Sequence, residues 1–231
     1  GYRQLTSAAD FPKRETSESK WGANDSVTAR RTYEMIAGGQ MPEPWHMTFQ
    51  TLSSHEPFEV PYHRLSDKKL NAFAFTDHCV TTLIDSLRNT PQWDNLLVIL
   101  IPDHGFLYDL TYESPEFFHA PMLWLGGAIR EPRRMEVLMN QSDLAATLLS
   151  QMGISHQDFP WSRNVLSRNY RYPFAYSSFP SGILFADSTG VSVFDITSRK
   201  PITEQPAPSP DRIHKAKTIL QMSYDRLEQL R

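Results

Sequence analysis

The chain predicts an α/β fold: a layered, mostly parallel sheet flanked by helices, with a small antiparallel β extension and a C-terminal helix. Three observations carry this. Leu96 to Ile101 is an unbroken apolar run, rich in branched residues and closed by Pro102, the pattern of a strand buried on both faces. Amphipathic helical stretches lie on either side of it, at 67–89 and 143–152. Short segments at 172–176, 182–186 and 191–196, the last two joined by a turn at 187–190, read as antiparallel strands. With 231 residues, 40% of them hydrophobic, the chain can bury a substantial core.

The elements follow in order. Residues 1–20 are polar and irregular and read as an extended lead-in. Val27 to Ala37 predicts a short helix stopped at Gly38-Gly39. Trp45 to Leu52 reads as a strand, and Pro57 ends regular structure after it. Ser66 is the expected N-cap of the helix over 67–89, whose apolar face is read as Leu70, Phe73, Val80, Leu83, Ile84 and Leu87. After the central strand comes a loop rich in aromatic and acidic residues, to Phe118, and then a short strand at 121–125. Ser142 caps the helix 143–152, and Gly153 stops it. Residues 201–210 hold four prolines and read as a linker, and Pro210 opens the final amphipathic helix.

Composition excludes several function classes. The net charge of -3 and scattered Lys and Arg give no electrostatic footprint for nucleic acid. One cysteine, Cys79, excludes a disulfide framework and a thiolate metal cluster. No stretch of about 18 apolar residues marks a membrane span. The chain begins Gly1-Tyr2-Arg3 without an initiator Met, as expected of a fragment.

The chemistry concentrates after the central strand. Asp103-His104-Gly105 follows it directly, and open α/β sheets carry their chemistry beyond the carboxyl ends of strands. A carboxylate and an imidazole side by side are ligands for zinc or manganese, with the glycine allowing a sharp turn. The alternative is a turn in which Asp103 bonds backbone amides and His104 lies on the surface; the strand-end position favours the metal reading. His55 follows the other apolar strand. It reads either as a donor, acid or base toward an anionic group, or as a loop histidine capping the next turn.

Other candidates read as structural. Asp77-His78 lies within a helix, where adjacent side chains point about 100° apart and do not share a metal. Asp77 is expected near the buried face as a hydrogen-bonding group. His119 precedes a strand rather than following one. Asp143 sits in a helix's first turn, where the dipole alone accounts for it. His46, His63, His156 and His214 have no constellation around them.

Several segments together resemble the alkaline phosphatase/sulfatase superfamily, closest to its lipoteichoic acid synthase (phosphoglycerol transferase) branch. They are Trp21-Gly22-Ala23-Asn24-Asp25, Thr51-Leu52-Ser53-Ser54-His55-Glu56-Pro57-Phe58, Phe75-Thr76-Asp77-His78, and Trp93-Asp94-Asn95 leading to Pro102-Asp103-His104-Gly105. Ala120-Pro121-Met122-Leu123-Trp124, then Gln141-Ser142-Asp143-Leu144 to Met152-Gly153-Ile154, complete the set. Their order and spacing match over residues 21–154.

The resemblance implies one divalent cation, manganese or zinc, held in part by Asp103 and His104, with His55 contacting the phosphate or sulfate group that moves. It implies that residues 1–200 are the C-terminal portion of a sulfatase-like catalytic domain. Within that portion 21–154 is the core and 155–200 the β extension; the linker 201–210 and helix 211–231 follow. It implies that the threonine nucleophile and a further acidic ligand lie in an N-terminal half not included here. Cys79 lacks the Cys-x-Pro-x-Arg context of a sulfatase nucleophile. Two ligands do not complete a four-coordinate site, so the isolated chain is expected to bind metal poorly and turn over no substrate. The implied substrates are phospholipids or other phosphate or sulfate esters, on the extracytoplasmic face of the membrane. Without its other half the chain is expected to self-associate through exposed apolar surface. The alternative is a non-catalytic binding module that keeps the fold and uses its surface, including the aromatic loop, to bind a partner.

Overall fold

The computed structural model describes residues 1–16 and 20–230. Part of the predicted lead-in, residues 17–19, lies outside the described residues. The chain divides into two compact units, residues 1–99 with 124–131, and residues 100–123 with 132–231.

The first unit opens with a short 3-10 turn at Ala8–Asp10 and the single-turn helix α1 (Lys13–Thr16). The lead-in is therefore partly helical, because Ser7 and Asp10 form a reciprocal capping box. Helix α2 (Asp25–Ala37) starts two residues earlier than the apolar pattern predicts, since the Asn24 side chain accepts from the Ser26 and Val27 amides. Helix α3 (Lys68–Arg88) is capped by Asp67, not Ser66: the Asp67 carboxylate accepts from the Leu70 N–H at 2.8 Å. The two helices pack through Ala29, Ile36, Phe75, Cys79, Leu83 and Leu87, with Leu96 closing the cluster.

That seam corrects the predicted face of α3. Phe75 and Cys79 are buried while Leu70 is exposed. Asp77 lies two residues from each of Phe75 and Cys79, about 200° around the helix, and so faces solvent. The expected strand at Trp45–Leu52 forms no ladder. Its burial does alternate residue by residue, and Trp45, Met47 and Phe49 pack on the helix pair. The period-2 signal is real, but no strand among the described residues pairs with it.

The central strand is shorter and wetter than predicted. β1 (Val98–Leu100) is half-buried throughout and pairs with β2 (Leu123–Leu125) in a two-stranded sheet. The α/β class holds, and among the described residues β1 has β2 as its one sheet neighbour, so the parallel layering that the apolar run predicts is not shown.

Cys79 is buried against this core, and burial, with the Asp25 charge, pushes its thiol up to about 11. At pH 8 only about one such thiol in a thousand is ionised, and the thiolate is the reactive form. Iodoacetamide is therefore expected to label Cys79 negligibly in the folded protein and rapidly in denaturant. Fast native labelling, read by mass spectrometry, would contradict this packing.

In the second unit α4 (Asp143–Gln151) ends as predicted, with Gly153 at φ +68° in the left-handed region. Four strands follow: β3 (Phe174–Phe179), β4 (Gly182–Asp187), β5 (Gly190–Asp195) and β6 (Lys200–Gln205). They form one antiparallel meander in sequence order. Residues 200–205, read as linker on account of Pro201, are its edge strand. An edge tolerates proline, and the register shifts beside it, where Val193 faces Thr203 but Phe194 faces Pro201. Helix α5 (Pro210–Gln229) begins at Pro210 with Ser209 as its cap. It lays Ile213 and Ala216 over Ile183, Phe185 and Phe194. No described helix is long and apolar enough to cross a membrane.

A polar network ties α5 to the meander. Buried Arg212 donates to Ser192 Oγ (2.9 Å) and to the Thr189 carbonyl (3.1 Å) and hydroxyl (3.0 Å). Thr189 in turn donates its N–H (2.8 Å) and hydroxyl (2.6 Å) to Asp187, which also accepts from Tyr172. Burial opposes ionisation of Asp187, but the Thr189 and Tyr172 hydrogen bonds and the Lys215 ammonium outweigh it. They hold the carboxyl below its ordinary range. A depressed carboxyl contributes stability that is present above its unfolded pKa of about 3.9 and lost as pH falls through the folded value. Thermal unfolding between pH 6 and 3 is expected to show an acid-side loss of melting temperature that flattens in Asp187→Asn. An identical slope in the variant would remove Asp187 from the network.

Candidate functional site

Asp103 and His104 leave the end of β1 on an exposed turn, with side chains 73% and 66% exposed. The Asp103 Oδ1 accepts from the His104 N–H at 3.0 Å, so part of the carboxylate does bond backbone. Its Oδ2 stands 3.9 Å from His104 Nε2. His104 Nδ1 lies 2.7 Å from the Gly105 carbonyl. A carbonyl only accepts, so Nδ1 donates to it, and Nε2 is the ring nitrogen left on the side of Asp103. A backbone carbonyl fixing one ring nitrogen in this way is the usual support for a metal-ligating histidine. Two donors on one tetrahedral cation, with bonds of about 2.0–2.1 Å, stand about 3.4 Å apart. The 3.9 Å separation is wider than that, and rotation of these two exposed side chains that closes about half an ångström brings them to the spacing of two ligands of a zinc or manganese ion. Among the described residues no third His, Cys, Asp or Glu joins them in a metal-sized cluster.

Gly105 works differently from the sequence reading. Its φ is not in the positive region. Glycine is required because a Cβ there would collide with the carbonyl oxygen of Phe117, where the aromatic loop folds back. That loop is ordered by its own rings. Tyr112 stacks on Phe179 of β3 at 5.7 Å and meets Phe117 edge-on at 5.0 Å. The Thr203 hydroxyl in β6 donates to the Glu113 carbonyl at 3.0 Å. The Gln141 side chain donates to the Pro102 carbonyl just before the Asp-His pair.

Asp143 carries far more than a helix dipole. Its fully buried carboxylate accepts the Asn140 N–H (2.8 Å), the Arg163 backbone N–H (2.8 Å), and Arg163 Nε and a terminal nitrogen (2.9 and 2.6 Å). The same guanidinium donates to the Phe174 carbonyl at 2.9 Å and lies 3.8 Å over the Phe174 ring. Asn140 mimics a strand edge, giving its amide to the Tyr176 carbonyl (2.6 Å) and accepting the Tyr176 N–H (3.1 Å). The Gln141–Ser142–Asp143 segment is thus riveted to the meander.

His55 belongs to the first unit. Its Nδ1 faces a Glu56 carboxylate oxygen at 2.9 Å, and its ring meets Trp21 edge-on at 4.9 Å. A carboxylate acceptor places the proton on Nδ1 and leaves Nε2 as the ring's other working atom. The Trp21 indole donates to the Glu56 carbonyl. The turn is closed by His55 N–H to the Leu52 carbonyl (3.1 Å) and by Phe58 N–H to the His55 carbonyl (2.8 Å). Phe58 itself is buried at φ +59°, a left-handed conformation that costs an aromatic residue about 1–3 kcal/mol and that clusters at functional sites.

The residue that composition and spacing did not single out is Asp25, the first residue of α2. Its Oδ1 accepts the Leu52 and Ser53 amides (2.8 and 3.2 Å), and its Oδ2 accepts the Thr76 hydroxyl (2.6 Å). The only sequence signal for it is its place in the Trp21–Asp25 segment. His119, expected away from the chemistry, is exposed in the loop before β2.

Comparison with known proteins places this geometry. The Sulfatase family profile matches residues 2–154, the stretch that holds His55, Asp25, Asp103, His104 and Asp143. A crystal structure of an alkaline phosphatase superfamily protein from Vibrio parahaemolyticus superposes with a TM-score of 0.72 at 22% identity, over 86% of this chain. The chain spans 53% of that protein, about half its length. A profile match over most of the chain, carried on this fold, makes the chain a member of the Sulfatase family.

Proposed function

We propose that this chain forms part of a metal-dependent catalytic domain that transfers or hydrolyses phosphate or sulfate esters, of the lipoteichoic acid synthase-like, phosphoglycerol transferase type. Asp103 Oδ2 and His104 Nε2 hold a divalent cation, manganese or zinc, and His55 contacts the oxygens of the group being moved. The cation supplies positive charge to the transferred group and acidity to a bound hydroxyl. The observation that carries this reading is the His104 ring, whose Nδ1 is engaged by the Gly105 carbonyl while Nε2 stands 3.9 Å from Asp103 Oδ2. Family membership over residues 2–154 supports the ester chemistry. The branch assignment rests on the ordered motifs from Trp21 to Ile154. It brings phospholipid substrates and the extracytoplasmic face of the membrane with it.

Because two ligands leave a four-coordinate site open, this chain by itself binds metal weakly and turns over no ester. Calorimetry with zinc and manganese, together with release of p-nitrophenol from nitrophenyl phosphodiester and sulfate, tests both statements. The isolated chain is expected to show neither tight stoichiometric binding nor turnover. A polypeptide that adds the remaining half of the domain is expected to show both, with chelation abolishing turnover. Metal-independent turnover would defeat the proposal.

A second reading is a non-catalytic module that keeps the fold and binds a partner. The loop at 106–118, where the Tyr112 ring packs on Phe117 and on Phe179, is the surface such a module would use. This reading gains if the longer polypeptide also fails to bind metal.

A further inference from the structure

We infer that Asp25 is a positioning residue that holds the His55 turn from the start of α2, and that its task is set by the hydrogen bonds its carboxylate accepts rather than by packing. This rests on the reading of His55 as the contact to the transferred group. Asp25 is 1% exposed, and no cation lies within ion-pair distance of it among the described residues. A buried carboxylate without a counter-ion is costly unless hydrogen bonds and dipoles stabilise its charge. Here both do. It sits at the N-terminus of the 13-residue α2, where the helix dipole favours negative charge, and it accepts three hydrogen bonds from other segments.

Those bonds have a direction. Two go to consecutive amides, Leu52 and Ser53, at the opening of the turn whose next closing bond is the His55 N–H on the Leu52 carbonyl. Ser53 answers with its hydroxyl, which accepts the Asp25 N–H at 2.9 Å. The third bond, from Thr76, fastens the carboxylate to the middle of α3. Four residues before Asp25, Trp21 closes the other end of the turn, with its indole on the Glu56 carbonyl and its ring against His55. One short segment, Trp21 to Asp25, thus grips the histidine from both sides. An aliphatic residue at position 25 could fill the space but could not accept two adjacent amides.

The test uses the isotope-labelled full chain, with amide exchange and the His55 ring signals read by NMR and inorganic phosphate as the probe. In Asp25→Ala, exchange at Leu52 and Ser53 is expected to speed up about tenfold or more, while the core amides of Leu83 and Leu87 stay within about twofold. The Trp21–His55 ring contact is expected to disappear, and phosphate perturbation of the His55 signals to need about fivefold more phosphate or more. Asp25→Asn, which keeps one oxygen for the two amides, is expected to restore most of each effect. Unchanged exchange at Leu52 and Ser53 in Asp25→Ala overturns the inference, and so does equal acceleration at Leu83 and Leu87, which would make Asp25 a general stability residue. If Asp25→Ala does not fold, Asp25→Leu, which fills the space but accepts no amide, takes its place: a local rise at Leu52 and Ser53 supports the inference, and a wild-type or uniform pattern overturns it. Wild-type His55 signals that ignore phosphate would refute the proposed role of His55 while leaving the exchange comparison to judge Asp25.

Discussion

Alanine at Asp103 or His104, introduced into a polypeptide carrying the whole catalytic domain, is expected to lower ester turnover by about a thousandfold or more. A ligated cation contributes several kcal/mol of charge stabilisation, and about 1.4 kcal/mol corresponds to each factor of ten. On the proposed metal assignment, removing either ligand would forfeit most of that. The two variants should differ in one respect. Asp103→Ala also frees the His104 N–H that the carboxylate accepts at 3.0 Å, so it disturbs the turn as well as the cation. His104→Ala leaves that backbone alone, and excess manganese should rescue it more readily. Steady-state kinetics over a range of metal concentrations reads both effects. Wild-type kcat in either variant would reject the metal assignment outright.

The second large effect is structural. Asp143→Ala is expected to destabilise the second unit by about 3–5 kcal/mol, because it strands the Arg163 guanidinium without its carboxylate. Three of the four hydrogen bonds that Asp143 accepts come from Arg163, one of them at 2.6 Å. The double variant Asp143→Ala with Arg163→Met is expected to recover part of the loss, since it removes the orphaned charge as well. Urea unfolding followed by circular dichroism measures both. A single variant within about 0.5 kcal/mol of wild type, the usual range for surface changes, would show that the pair contributes little.

Much of the helical framework was legible in the chain itself. The end of α2 at Gly38, the end of α4 before Gly153 and the start of α5 at Pro210 follow from the sequence, because breakers and first-turn prolines act within a few residues. Three meander strands were readable from alternation and turns for the same reason. The fourth was not, since Pro201 argues locally against a strand and only its place at the sheet edge permits one. The apolar run 96–101 was misread as a strand buried on both faces, because burial depends on what a segment packs against rather than on its own hydrophobicity. Trp45 to Leu52 shows the reverse error: a correct alternation with no pairing strand among the described residues.

The candidate site divides along the same line. Asp103, His104 and His55 could be proposed from the sequence because chemistry at a strand end and a motif such as Leu-Ser-Ser-His-Glu-Pro-Phe are local in sequence. What supports them was not. Asp25 reaches Leu52 across 27 residues and Thr76 across 51, and Asp143 reaches Arg163 across 20. A lone aspartate at a helix start reads as a dipole partner whether or not distant amides converge on it. By itself, then, the sequence determined where the longer helices lie, three strands of the meander, and which residue types are candidates for chemistry, all consequences of short-range propensity. Only the tertiary structure decided which carboxylates are buried and what they hold, because hydrogen bonds and desolvation act between segments that the chain order keeps apart.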